Sequence, residues 1–275
     1  MVRTVVNGRK PSIWIYESCD MFDRNMNQVS AEFLRCWKSA ERHLRIYSRG
    51  STLHWLKNTI TPPFLDHLSF QIGNQLFYVR IEDFDKKMTS PGSQENVNVI
   101  ADACNGHACF MPMRLVYGEW VPTEKEWGLI DANFHKPLNP LSVISDEKIV
   151  MTDWELHDRA VQIVKNHIYR KMKCEITSYE GGPSELPSIW FAGKNGYEWV
   201  VVRAIRNFND EVSFPLNIRK TVDKYSELGA VGHYAYVSFK PKNFGRSDDK
   251  IIQVSLCRGV EIEYKFSGLI SATIH

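Results

Sequence analysis

The sequence predicts an α/β (α+β) protein of two tandem, related domains, each a mixed β-sheet flanked by helices with an α-β-β-β-α-β core. Three observations predict this. Motifs of the first half recur in the same order about 120 to 140 residues later, which is the mark of an internal duplication. Leu65-Asp66-His67-Leu68-Ser69-Phe70 and Leu76-Phe77-Tyr78-Val79-Arg80 are echoed by Leu186-Pro187-Ser188-Ile189-Trp190-Phe191 and Trp199-Val200-Val201-Val202-Arg203. Gly106-His107 is echoed by Gly232-His233, and Gly128-Leu129-Ile130-Asp131-Ala132 by Gly268-Leu269-Ile270-Ser271-Ala272. Stretches of helical period also alternate with short β-rich runs in both halves. Finally, a chain of 275 residues with 43% hydrophobic and 24% charged residues is long enough for each half to bury a core of its own.

Taken in order, Ser30–Tyr47 reads as a helix. Phe33, Trp37, Ala40, Leu44 and Tyr47 fall on one face, Ser30 is the N-cap candidate and Gly50 the stop. Phe64–Phe70 and Gln75–Ile81 read as strands around Gly73-Asn74, a turn pair that tolerates positive φ. Val97–Cys104 reads as a short helix and His107–Val116 as a strand, with Pro112 implying an edge or a bulge. Lys136–Asp146, with Pro137 and Pro140, is the expected linker. The domains are then 1–136 and 147–275, joined by 137–146.

The second half repeats the order. Asp153–Arg170 is a helix with Trp154, His157, Val161, Val164 and Ile168 on its stripe. Cys174–Tyr179, Ile189–Phe191 and Glu198–Ile205 are strands, the last two joined through Lys194-Asn195-Gly196. Ile218–Leu228 is a helix and Tyr234–Phe239 a strand. Ile251–Leu256 and Val260–Phe266 are expected to close as a hairpin.

Composition excludes more than it selects. The formal charge of +2 is shared evenly between the halves, so no tail or pole stands out. There is no apolar run long enough to span a bilayer, and the basic N-terminus is not followed by the apolar stretch of a secretion signal. Six cysteines without a CxxC pair read as reduced thiols of a cytoplasmic protein rather than disulfides or zinc ligands. No P-loop, GxGxxG or GxSxG is present, so no nucleotide or dinucleotide cofactor is expected.

The order α-β-β-β-α-β, together with the hairpin at Pro187-Ser188 and Val201-Val202-Arg203, resembles the restriction-endonuclease-like, or PD-(D/E)XK, superfamily. That resemblance implies a fold in which a Pro-Asp and an acidic-x-Lys triplet bring carboxylates to a divalent metal that activates water. Here Ser188 and Val201 stand where the second half would carry those acids. In the first half Asp66 remains, but Tyr78 replaces its partner, and arginine stands for lysine at Arg80 and Arg203. Arginine clamps a phosphate well but does not readily surrender a proton. The resemblance therefore implies a degenerate core and a non-catalytic binding protein, engaging a protein or a nucleic acid.

A rival expectation is a magnesium-dependent nuclease with displaced carboxylates, drawn from Asp66, Glu155, Glu175, Glu185 and Glu198 beside Arg203. Glu155 has a structural alternative, because Thr152-Asp153-Trp154-Glu155 fits a capping box. Asp158 lies on the same helix. His107 and His233, each after glycine at a strand start, read as structural hydrogen-bonding groups, and Cys109 shares a strand face with His107.

Binding candidates are clearer. Arg35, Lys38, Arg42, Arg45 and Arg49 recur at three- and four-residue steps and form a basic stripe on the first helix, with Glu32 and Glu41 as possible partners. Such a stripe can track phosphates without reading sequence. The helix of the second half has no matching stripe. Arg80 and Arg203 each end an apolar strand, where a long cation can lie over the sheet or meet an anion. Trp120 and Trp127, around Pro122, are expected in an exposed aromatic loop that could anchor a protein partner.

Overall fold

The computed structural model describes residues 29–48, 53–57, 67–179, 182–183, 186–194, 196–206, 208, 218–226, 230–242 and 255–272. Two separate mixed sheets, each flanked by helices, follow one another along the chain, as the duplicated sequence predicts.

The first unit runs α1 (Ala31–Tyr47), β1 (Leu53–Lys57), β2 (Leu68–Ile72), β3 (Gln75–Asp83), α2 (Gln94–Ala103), β4 (His107–Val116), β5 (Glu119–Pro122), β6 (Leu129–Asp131) and β7 (Pro137–Leu138). Helix α1 starts where the Ser30 hydroxyl accepts the Phe33 N–H at 3.0 Å. Phe33, Cys36, Trp37, Ala40 and Leu44 are its buried face. That face packs on Phe70, Phe77, Val79 and Met111, while α2 covers the other side of the sheet with Val97 and Ala101 against Leu76, Tyr78 and Ala108. Alternation along β3 thus feeds two cores.

The second unit runs α3 (Asp153–His167), a π-helical turn (Ile168–Met172), β8 (Glu175–Tyr179), β9 (Ile189–Gly193), β10 (Gly196–Ile205), α4 (Ile218–Ser226), β11 (Val231–Pro241), β12 (Ile262–Phe266) and β13 (Ile270–Ser271). Helix α3 opens with the expected capping box: Glu155 N–H donates to Thr152 Oγ1 at 3.3 Å, and Thr152 N–H donates to Glu155 Oε2 at 2.8 Å. Leu156, Val161 and Val164 pack on Phe191, Val200 and Val202, and α4 covers Trp190, Trp199, Val201 and Tyr234 on the opposite face.

The two topologies coincide except for β7, which pairs with β6 and has no counterpart among the described strands of the second sheet. A hairpin (β2–β3, β9–β10) is followed by a helix and a parallel partner (β3 with β4, β10 with β11). That partner then takes two antiparallel neighbours at different heights (β5 and β6 on β4, β12 and β13 on β11). The Gly-His echo has a packing cause. A Cβ on Gly232 would stand 2.3 Å from the Trp199 indole, and one on Gly106 would stand 3.0 to 3.1 Å from Tyr78 and Leu76. In both copies the strand beside the glycine lays a large side chain across it, which excludes a Cβ at 232 and leaves only a tight fit for one at 106.

Three expectations need correction: the linker, Pro112 and the alignment of the hairpins. The stretch 137–146 is not a free linker. Pro137–Leu138 pairs with β6, Pro140–Val143 forms a 3-10 turn, and Asn74 Nδ2 donates to Ser145 Oγ and to the Glu147 carbonyl. The first strand of the expected α-β-β-β-α-β core, to which the sequence assigned no residues in the first half, is β1; it pairs with β2 as β8 pairs with β9. Pro112 sits at neither an edge nor a bulge. It lies where the neighbour of β4 changes from β6 to β5, with the Thr123 N–H reaching its carbonyl at 2.9 Å.

The hairpins are also not aligned as their sequences suggest. Phe70 faces Phe77 whereas Ile189 faces Val200, so with Phe77 and Val200 equivalent, Phe70 matches Ile189 and not Phe191. The second hairpin is longer in both arms, and sequence similarity had absorbed the difference. Strand β12 pairs with β11, and Cys257 bridges Val150; most of the expected partner strand Ile251–Leu256 is not among the described residues.

Candidate nucleic-acid interface

The positions at which the resemblance would place metal-binding carboxylates are packed. Tyr78 is buried in the α2-side core and Val201 in the α4-side core. Ser188 is fully buried, and its hydroxyl accepts the Val202 N–H at 3.2 Å, so it braces the hairpin. Asp66 and Glu185 lie outside the described residues.

The remaining acids are far apart. Both oxygens of Glu155 are engaged: Arg258 donates to them at 2.7 and 2.9 Å, and Thr152 N–H shares Oε2. Glu198 lies at the other end of β10. Arg206, eight positions further along, is tied to α3 through Asp153 at 2.6 Å, a run of about 26 Å at strand rise. Glu198 bonds His233 at 2.6 Å, and its carboxylate occupies the space over Gly193. Glu175 is in the cross-strand row of Ala192 and Tyr197, one residue off the row of Glu198, so it points to the opposite face. Arg203 is on the face opposite Glu198 and donates to the Pro183 carbonyl at 3.3 Å. Thus Glu155, Glu198 and Arg203 are not brought together. Among the described residues, no three His, Cys, Asp or Glu side chains are placed to hold a metal ion.

Arg80, the counterpart of Arg203, pairs with Glu82 and reaches the Gly92 carbonyl at 3.5 Å. Each arginine pins the loop next to its own strand. Because Arg80 lies on the α2 side of the sheet and α1 on the other, Arg80 does not join the α1 stripe.

The stripe itself is open to solvent. Arg35, Lys38, Arg42 and Arg45 are all exposed; Arg49 lies outside the described residues. Arg35 pairs with Glu32 and Arg45 with Glu41. Glu32 also accepts the Trp120 indole N–H at 2.6 Å, and the bonds from Arg35 and Trp120 hold its carboxyl below the usual range. Lys38 and Arg42 make no ion pair among the described residues. Arg35 to Arg45 spans about 15 Å of helix, the length over which one duplex strand presents about four phosphates.

Beyond α1 the positive charge continues toward β1. Arg45 lies 6.0 Å from the Trp55 ring, and Lys57 of the same strand faces the other side of the sheet. Superposing the buried faces of the helices, Cys36, Trp37, Ala40 and Leu44 on Ala160, Val161, Val164 and Ile168, sets the stripe against Arg159, Gln162, Asn166 and Tyr169. The stripe therefore belongs to the first unit alone.

Trp120 and Trp127 are not an exposed loop. They are 8% and 4% exposed and belong to the first core. Trp120 faces Leu115 across the β4–β5 ribbon on the α1 side, and His43 Nε2 holds the returning loop at the Glu126 carbonyl, 2.7 Å away. The exposed aromatic is Tyr117 at the ribbon tip, 103% exposed, beside Leu115, Val116 and Val121.

Two features escaped the sequence reading. Gln75 bonds His107 at 3.0 Å just where Glu198 bonds His233, a duplicated pair visible only once β3 and β10 are superposed. Arg258 spans the units: it binds Glu155 of α3 and donates to the carbonyls of Cys104 and Asn105 at the end of α2. Cys36, Cys104, Cys109, Cys174 and Cys257 are free thiols, and burial pushes Cys36 up to about 12. Cys104 and Cys109 face opposite sides of the first sheet. No helix among the described residues is long and apolar enough to cross a membrane.

Residues 154–272, from the first turn of α3 to the end of β13, match a family described as a domain of unknown function (DUF8840). Searches of the curated proteins and of the solved structures found no match.

Proposed function

We propose that this chain is a non-catalytic nucleic-acid-binding protein made of two degenerate nuclease-like domains, with the α1 face as its phosphate track. The observation that carries the reading is the contrast between two places. Tyr78, Ser188 and Val201, where acids would stand, are packed into cores, while Arg35, Lys38, Arg42 and Arg45 line up in solvent. A row of this kind favours any phosphate backbone by counterion release and reads no base, so its affinity is steeply salt-dependent.

The test is fluorescence anisotropy with a fluorescein-labelled 20-base-pair DNA duplex over a salt series. Lys38→Gln and Arg42→Gln are each expected to weaken binding and to reduce the slope of log K against log salt by about 1. A protein partner is the second reading, favoured by the apolar ribbon tip of Leu115, Val116, Tyr117 and Val121. If both substitutions leave duplex binding and its slope unchanged, the nucleic-acid reading is wrong and the ribbon takes its place.

A further inference from the structure

The second helix unit carries one exceptional cation. Lys165 of α3 is half-buried, and its ammonium sits 3.9 Å from the centre of the Tyr179 ring, a contact that fixes it on the surface of the second unit. The neighbouring turns of α3 are docked on the first sheet, because Arg159 Nη2 donates to Gln71 Oε1 of β2 at 3.1 Å. Gln71 in turn faces His54 of β1, and Ser69 faces Lys57. Lys57 is thus on the face of the first sheet on which α3 docks, and its charge is felt at Lys165 of the other unit.

Burial lowers the Lys165 amine to about 8, with Lys57 pushing it further down and Asp158 opposing. The groups facing Lys165 are therefore Asp158 of its own helix, Lys57 of β1 and the Tyr179 ring of β8. At Lys165 one carboxylate, Asp158, stands against two ammonium groups, while the neighbouring partly buried Arg159 has both Glu155 and Asp158 near it. An anion bridging Lys57 and Lys165 would remove their repulsion and lose little entropy, since Tyr179 already orients one of them. Trp55, which Arg45 reaches, faces α1, whereas Lys57 shares the row of Ser69 and Tyr78 on the opposite face, so the place lies around the β1 edge from the track.

We propose that Lys57 and Lys165 form a phosphate subsite at the domain junction, so that a single nucleic-acid backbone runs from α1 across edge strand β1 onto the second domain. The inference rests on the phosphate-track reading of α1 and extends it to the other unit.

The experiment uses the full chain and the same labelled 20-base-pair duplex. Lys57→Gln and Lys165→Gln are each expected to reduce the salt slope by about 1. Wild-type affinity is expected to fall as pH is raised from about 7 to about 9, because the bound state needs the Lys165 ammonium. In Lys165→Arg, whose guanidinium stays charged, that fall disappears while the salt slope is kept. Thermal melts establish that the variants fold, and Lys165→Arg decides the matter if Lys165→Gln does not. If Lys38→Gln and Arg42→Gln weaken binding while the Lys57 and Lys165 variants keep wild-type slope and pH profile, the junction subsite is refuted and the track stands. If all of them bind like wild type, the track itself falls.

Discussion

His157 shows how a single side chain couples the fold to pH. It is 2% exposed on the sheet side of α3, and burial first, then the nearby Arg203 charge, lower its imidazole to about 4. The unfolded chain would take up a proton near 6.5, so between that pH and about 4 the unfolded state binds more protons than the folded one. Stability is accordingly complete above about 6.5 and is lost as pH falls toward about 4, by about 3 kcal/mol. His157→Gln is expected to flatten that acid limb in thermal melts collected at several pH values. The sequence placed His157 on the apolar stripe correctly, because the helical period alone fixes that. It also disclosed the Glu155 cap, because a capping box is local in sequence. It could not disclose the Arg258 partners, which lie 103 and about 153 residues away and share no periodic signal.

At the level of elements, the twin ribbons have taken different paths. The β4–β5 ribbon carries Leu115, Val116, Tyr117 and Val121 into solvent, whereas the β11–β12 ribbon carries the ion pairs Lys240–Glu263 and Lys242–Glu261. Tyr117→Ser is expected to leave stability within about 0.5 kcal/mol. Trp120→Ala, three positions on, is expected to cost about 3 to 5 kcal/mol, and urea titration of the two variants measures the difference. The sequence could not separate these aromatics. A short strand followed by proline resembles an exposed loop until it is known that α1 covers one of its faces. The helices and the central strands were legible because their hydrophobic period is strong. Strand β1 was missed because its LHWLK run is short and does not alternate cleanly. The hairpin register was missed because a longer turn arm shifts equivalence without disturbing the pattern of apolar residues.

For the molecule as a whole, the duplication was legible in the paired motifs, and the sheet topology repeats it. The contact that joins the copies was not legible. Arg258 has a side chain with no exposed surface, and its guanidinium is divided between Glu155 and the carbonyl end of α2. Those carbonyls form the negative end of the helix, which favours a cation there. Arg258→Met would leave Glu155 buried without its counterion, and breaking such a pair costs about 3 to 5 kcal/mol. Differential scanning calorimetry is expected to show a single transition for the wild type and two separated ones for Arg258→Met, as the coupling between the copies is lost.

The same clamp bears on how the chain can be divided. A fragment cut at 154–272, the limits of the family match, would discard Thr152, whose hydroxyl starts α3, and Val150, which bridges Cys257. It would also strand the Arg258 guanidinium without the α2 carbonyls that receive it. The second copy has thus come to depend on its sibling for part of its own interior, and excision yields an unfinished object rather than a module.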